Sequence, residues 1–443
     1  MVIFLVAAAA TVVALRPQRV QELLGLSKPV EPPTFEAPAP RPVLEPGDQA
    51  DPPTPEGVAA AIEELVADSR VGRFAFSIVD LPTGQQLYER DARVGMTPAS
   101  VTKVVTAAAV LAATGPDHRI PTRAVRGSEP GEVVLVGGGD PTLAVDDEGT
   151  YPGAARLDEL AKQVTEKLAG EKPTKVVVDA SVFVGDTTGP GWDSDIVAYG
   201  YGGHITGLMI NGGRIDPKQT ARSPDPALAA GKAFAALLGV PEESVTVGTA
   251  PEGAEELGVV ESPPMIRLVE IMLAESDNVI AEALGRQVAI ARGVEASFTG
   301  ATTATAETIA ELGVATDELV LSDNSGLSRQ NRLSPGLLTS LFTIAATDEH
   351  PELAGLFSGL PVAGYNGTLD DRYRSDTTRV GAGLVRAKTG TLSGVSTLSG
   401  VVVDADGRLL GFALMANDVP QGTAAAEEVL DQIAAKLASC GCR

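Results

Sequence analysis

Apolar and polar positions change their period several times along the chain, and each change predicts an element. VAAAIEELVAD, from Val58, repeats at helical spacing. RFAFSIVDLPTGQQLYER alternates on either side of a PTG turn, which predicts two paired strands. TPASVTKVVTAAAVLAATGPD is an Ala- and Val-rich helix stopped at Gly115-Pro116. From Arg119 to about Glu261 the pattern shifts to strand-like pieces, GEVVLVGGGDPTL and TKVVVDASVFVGD, separated by turn-rich stretches. Helical spacing returns in PPMIRLVEIMLAESDNVIAEALGRQVAIA, ATTATAETIAELG and LSPGLLTSLFTIAAT. It gives way to strands in VRAKTGTLSGVSTLSGVVVDADGRLLGFALMAN, and AAAEEVLDQIAAKLA closes the chain as an amphipathic helix.

The amino-terminal end follows neither period. Met1 to Leu15, MVIFLVAAAATVVAL, is apolar and uncharged but shorter than the roughly 20 residues a membrane-crossing helix needs. Its length suits the apolar core of a signal peptide, with Arg16 and Arg19 on its far side; a buried core helix is the alternative. Lys28 to Pro55 is proline-dense without hydrophobic periodicity, as in an extended tether. The expected organisation is therefore a signal or membrane-anchor segment at 1–27, a Pro-rich linker at 28–57, one domain built from 58–118 and 263–443, and an inserted β-rich domain at 119–262. An apolar start followed by a tether implies an extracytoplasmic protein, membrane-anchored or secreted.

Composition removes several function classes. With 34 basic and 58 acidic side chains the net charge is -24, which repels nucleic acid, so no nucleic-acid partner is expected. His118, His204 and His350 are scattered without ligand spacing, which argues against a zinc hydrolase and a Ser-His-Asp hydrolase; no metal or cofactor is called for. Cys440 and Cys442 lie too close together to staple a scaffold.

Three short motifs carry candidate chemistry. Ser100 and Lys103 stand one helical turn apart at a helix start, so their side chains share a face. A serine hydroxyl needs a base to become a nucleophile, and a lysine serves when burial or nearby positive charge lowers its pKa. A surface serine beside a solvated lysine is the plain alternative. Ser276-Asp277-Asn278 interrupts a helical pattern: it is either a helix junction capped by Ser276, or a relay hydroxyl followed by an amide that can hold a peptide. Lys388-Thr389-Gly390-Thr391 opens a strand, where Gly390 leaves room for another backbone and the two hydroxyls could bind a carboxylate.

In this order the three motifs are the signature set of penicillin-binding proteins and class A β-lactamases. Further stretches extend the likeness: VLVGGGDPTL, VVVDASVF with GPGW, ESDNVIAEAL, NSGLSRQNRLSP and LPVAGYNGTLDDR. Over most of Val58 to Asn417 the chain resembles the class C penicillin-binding proteins, D-alanyl-D-alanine carboxypeptidases and endopeptidases. The resemblance implies an α/β fold of the penicillin-binding/β-lactamase type, an antiparallel sheet covered by helices, with the inserted domain after the serine-bearing helix. It implies peptidoglycan stem peptides as substrates and β-lactam antibiotics as covalent inhibitors. Carried over motif by motif, Ser100 is the nucleophile, Lys103 its base, and Ser276 with Lys388 the proton donors to the leaving amine. Asn278, Thr389, Gly390 and Thr391 hold the substrate, Asp179 meets the cationic end of its side chain, and Arg329 sits near the pocket. For Asp179 a strand-end cap is the competing assignment, and for Arg329 a structural salt bridge. The nested third domain that relatives often carry after ITGLMINGGRIDP is missing or reduced here, because that segment runs almost directly into SPDPALAAGKAFAALLG. A class A-like β-lactamase, which would need a further placed base that no Glu-x-x-x-Asn element supplies, and a non-catalytic wall-binding protein are the alternative functions.

Overall fold

The computed structural model describes residues 51–443. The segment expected at 1–27 and most of the linker expected at 28–57 lie outside the described residues. The end of that linker is helical. Thr54 caps α1 (Pro55–Val66) by accepting from the Gly57 N–H, and Pro55 occupies the first turn, where a missing N–H goes unused. Pro55, Glu56 and Gly57 therefore belong to the folded body.

The order continues β1 (Arg73–Asp80), β2 (Gln85–Arg90), α2 (Thr102–Thr114), β3 (Pro121–Arg126), β4 (Glu132–Val136), α3 (Leu157–Leu168), β5 (Lys175–Asp179), α4 (Pro226–Leu238), β6 (Val245–Val247) and β7 (Glu256–Glu261). Then come α5 (Met265–Ala274), α6 (Asn278–Ala291), α7 (Phe298–Glu311), α8 (Pro335–Ala345), α9 (Gly355–Gly359), β8 (Val385–Leu392), β9 (Val395–Val403), β10 (Leu409–Asn417) and α10 (Thr423–Ala438). Among the described residues no helix is long and apolar enough to cross a membrane.

Two five-stranded sheets organise these elements. The first runs β2-β1-β10-β9-β8 and every pairing given for it is antiparallel. One of its faces packs on α1 and α10 through Ile62, Phe76, Phe412, Leu430 and Ile433; the other meets α8, and α2 and α5 to α7 join the same core behind it, with Val104, Met272, Leu284, Phe342 and Ala413 in one cluster. The second sheet, β6-β5-β4-β3-β7, draws all its strands from residues 121–261. It is mixed, with β4-β5 and β5-β6 parallel. Parallel neighbours need crossovers, and α3 and α4 supply them. Leu157, Leu160, Val164, Ala230 and Phe234 pack these helices onto Val176 and Val178, so the stretch read as β-rich is a layer of strands and helices. Pro121 of β3 pairs with Glu261 of β7, so the chain enters and leaves this layer at neighbouring points.

Candidate active site

The segment before α2 is clamped on every side, and this fixes the position of Ser100. Met96 pairs with Leu333; Asn417 of β10 accepts from the Thr97 N–H and donates to its carbonyl; Thr397 of β9 donates to the Pro98 carbonyl at 2.8 Å. Ala99 sits at φ +50°, a strained conformation for a residue with a side chain, and Thr102 Oγ1 donates to its carbonyl at 2.8 Å. A Cβ on Gly326 would lie 1.9 Å from that same carbonyl, so only glycine lets the 323–331 loop close over it. Ser100 follows in a single 3-10 turn, Ala99–Val101, that leads into α2.

Lys103 is fully buried one turn on, and its amine meets three acceptors: Ser100 Oγ at 3.1 Å, Asn278 Oδ1 at 2.5 Å and the Ser325 carbonyl at 2.7 Å. Three acceptors match the three donors of an ammonium. Burial nonetheless pushes Lys103 down to about 8, against the upward pull of the Asp323, Asp277 and Glu282 carboxylates.

The junction between α5 and α6 turns at Ser276, φ +55°. The cap, however, is Asp277 and not Ser276: Oδ1 accepts from the Val279 and Ile280 N–H groups at 2.9 and 3.0 Å. Its other oxygen accepts from the Tyr151 hydroxyl at 2.8 Å and lies 3.5 Å from Arg214, which anchors the junction to residues of the second layer. Asn278 turns its oxygen to Lys103 and donates its amide to the Tyr201 carbonyl at 2.8 Å. Ser276 is left with no hydrogen-bond partner among the described residues and faces the cleft.

β8 forms the edge of the first sheet, and this edge borders the cleft. A Cβ on Gly390 would lie 2.2 Å from Thr397 Oγ1 and 2.9 Å from both the Pro98 carbonyl and the Ser100 nitrogen, so the strand passes against the Ser100 backbone only because position 390 has no side chain. Lys388 is fully buried, donates to the Thr389 carbonyl at 2.8 Å, and is pushed well below the usual lysine range by burial and by the Lys103 and Arg372 cations. Thr389 donates to Thr368 at 2.8 Å and Thr391 to Glu427 at 2.9 Å.

Ser100, Ser276, Asn278, Thr389, Thr391 and Arg329 all line one cleft of about 620 Å³. Arg329 combines both of its assignments: it lines the cleft and pairs with Asp193 at 3.0 Å while donating to the Ser393 carbonyl. Asp179 is not part of it. Its carboxylate accepts from Ser181 N–H and Oγ and, at 2.7 Å, from the Ala250 N–H, which makes it the cap at the end of β5, beside a separate groove with His118 and Arg123. The strand-end cap is thus formed, and the assignment of Asp179 to the cationic end of the substrate side chain stays a proposal. A larger groove, about 740 Å³, lies between β2 and α8 and contains none of the motif residues.

Sequence reading missed the residues that hold these groups in place. Asp323 accepts from the Gly326 and Ser328 N–H groups, from Asn331 and from the Trp192 indole at 2.8 Å, tying the loop to GPGW. Tyr151, Arg214 and Tyr201 reach the site from positions remote in sequence. Only the GPGW stretch and, for Arg214, ITGLMINGGRIDP gave a signal.

Among known proteins, the family model described as D-Ala-D-Ala carboxypeptidase 3 (S13) matches residues 58–224 and 216–440. The chain belongs to that family. A carboxypeptidase of Mycobacterium tuberculosis is 41% identical over 92% of this chain and 90% of its own length, and carboxypeptidase DacB of Mycolicibacterium smegmatis is 43% identical over 88% and 85%. The solved structure of penicillin binding protein 4 from Haemophilus influenzae shares the fold at 22% identity, with a TM-score of 0.68 over 86% of this chain and 98% of that one. The protein is thus a serine-type D-Ala-D-Ala carboxypeptidase with a penicillin-binding fold, a hydrolase of the cell wall that works outside the cytoplasm.

Proposed function

We propose that this carboxypeptidase removes the terminal D-alanine of peptidoglycan stem peptides through an ester on Ser100. The observation that carries the assignment is the Lys103 amine 3.1 Å from Ser100 Oγ, beneath a cleft walled by Thr389 and Thr391. With Lys103 brought down to about 8, roughly one molecule in ten holds it as free base at neutral pH. In that form it takes the Ser100 proton while Oγ bonds to the carbonyl carbon of the penultimate D-alanine. The C–N bond breaks, the terminal amine leaves with a proton relayed through Ser276, and water then hydrolyses the ester. The Ser100 and Thr391 N–H groups stabilise the oxyanion, Asn278 orients the peptide amide, and the two threonine hydroxyls hold the terminal carboxylate. Lys388, held well below the usual lysine range by burial, supports the relay.

β-Lactams acylate the same serine, as a β-lactam complex of the Haemophilus protein would suggest. Endopeptidase cleavage of cross-links and anchoring through the apolar amino-terminal segment complete the reading, as does an excursion of 119–262 from the catalytic domain. Incubation with defined muropeptides followed by mass spectrometry tests it. Loss of a single D-alanine by the wild type, and neither cleavage nor fluorescent-penicillin labelling by Ser100→Ala, is the expected result. Labelling that survives in Ser100→Ala would end the assignment, and rapid repeated turnover of nitrocefin would favour a β-lactamase.

A further inference from the structure

Behind Lys103, one turn into α6 from Asn278, lies Glu282, fully buried. Its Oε1 accepts the N–H groups of Asn324 at 3.1 Å and Ser325 at 2.9 Å, while Oε2 has no hydrogen-bond partner. The nearest cation, Arg286, stands 3.7 Å away, is itself fully buried against the Phe298 and Phe183 rings, and leaves Nε and Nη2 unpartnered. A buried ion pair repays its desolvation only with good geometry and satisfied donors. This pair has neither, so stability is a poor account of why a carboxylate occupies the position.

The carboxylate does grip a turn that faces the serine-bearing helix. The two residues whose N–H groups it holds direct both carbonyls at α2: Ser325 to the Lys103 amine at 2.7 Å and Asn324 to Thr106 Oγ1 at 2.6 Å. α6 thus reaches Lys103 twice, directly through Asn278 and indirectly through Glu282 and the turn. We propose that Glu282 is a positioning residue for Lys103: it fixes the turn that supplies one of the three acceptors of the amine and so sets where the amine sits against Ser100. The inference rests on Lys103 being the base of the proposed reaction.

Other charges around Lys103 come from Asp323 in the loop, Asp277 at the α5–α6 junction and Lys388 in β8. Glu282 itself faces Arg286 and Asp323 and is pushed up to about 8, chiefly by burial and then by Asp323. Ionised Glu282 favours the charged form of Lys103, so it opposes loss of the Lys103 proton most where Glu282 has lost its own, toward alkaline pH.

Glu282→Gln separates charge from grip, because an amide oxygen still accepts from both N–H groups. The rate of Ser100 acylation by a fluorescent penicillin, followed from pH 5.5 to 9.5, should rise at lower pH in this variant than in wild type, by about half a unit or more. Its plateau should stay within about threefold of wild type. Glu282→Leu, which frees the turn, should lose about tenfold or more at every pH, with the loss in the acylation step and not in initial binding. Glu282→Gln/Arg286→Met repeats the test without a stranded guanidinium, should the single variant fold poorly. A limb that stays where the wild type has it in both Gln variants, or Leu acylating at the wild-type rate, overturns the inference while the catalytic reading stands. Labelling that is absent from wild type or indifferent to Ser100→Ala strikes the catalytic reading instead.

Discussion

Gly390→Ala is the sharpest probe of how closely β8 and the Ser100 backbone fit. Gly390 is absent from the residues with positive φ, so alanine meets no backbone strain there and the entire penalty comes from contact. The new Cβ would stand 2.2 Å from Thr397 Oγ1, a clash that forces Thr397 to rotate and abandon its 2.8 Å hydrogen bond to the Pro98 carbonyl. Stranding that buried acceptor should cost about 1–3 kcal/mol of stability. The contacts at 2.9 Å to the Pro98 carbonyl and the Ser100 nitrogen remain, and neither is a movable side chain. Relieving them needs a retreat of a few tenths of an ångström by the strand or by the 98–100 segment. Such a displacement of a reacting group should lower kcat/KM on a D-Ala-D-Ala peptide by about ten- to a hundredfold. Adding Thr397→Ala removes the worst clash and should recover part of the stability but not the rate. Denaturant unfolding and kcat/KM for the wild type, both single variants and the double variant separate the two effects. A Gly390→Ala enzyme of wild-type activity, or a double variant restored to it, would show that the strand does not need to pass so near Ser100.

Three further outcomes follow from the same geometry. Thr389→Val/Thr391→Val should lower kcat/KM by about a hundredfold on a peptide with a free terminal carboxylate and much less on its amidated counterpart; equal losses on both would place carboxylate recognition elsewhere. Asp179→Ala should lose about 1–3 kcal/mol of stability, through its bonds to Ser181 and Ala250, while kcat/KM stays within about twofold of wild type; a large kinetic loss with unchanged stability would return Asp179 to the substrate. Asp277→Ala removes the α6 cap together with the Tyr151 and Arg214 contacts, and should lower stability by about 2–4 kcal/mol along with acylation of Ser100, read by thermal unfolding and penicillin labelling.

What the sequence makes legible here is local chemistry at short spacing. Ser100 and Lys103 are one helical turn apart, and Gly390 follows a lysine and a threonine on a strand, so each motif could be read in isolation and all converge in the structure. Asp179 shows where that method ends, since an acid at a strand terminus has the same sequence environment whether it faces a ligand or caps its own turn. The Ala250 N–H that completes its cap lies 71 residues away, out of reach of that local reading. The Asp277 cap could have been read from helix-start rules, but its partners Tyr151 and Arg214 could not, being brought to it by the packing of the second layer. The α1 start was masked by composition: Thr54-Pro55-Glu56 is a good helix opening inside a run of prolines that otherwise reads as tether.

Trp192 on Asp323, Tyr201 on Asn278, Asp193 on Arg329 and Tyr151 on Asp277 all join the stretch between β4 and β6 to residues bordering the serine. Each contact pairs one residue that is free of the three motifs with one in or near them, and such a pair does not drift freely. A substitution at Trp192 or Tyr151 changes the environment of Asp323 or Asp277 as surely as a change at those positions themselves. Over evolutionary time the second layer and the serine-bearing body should therefore diverge together. A chimaera that exchanges the layer between two relatives should work only when these four pairs come from the same parent.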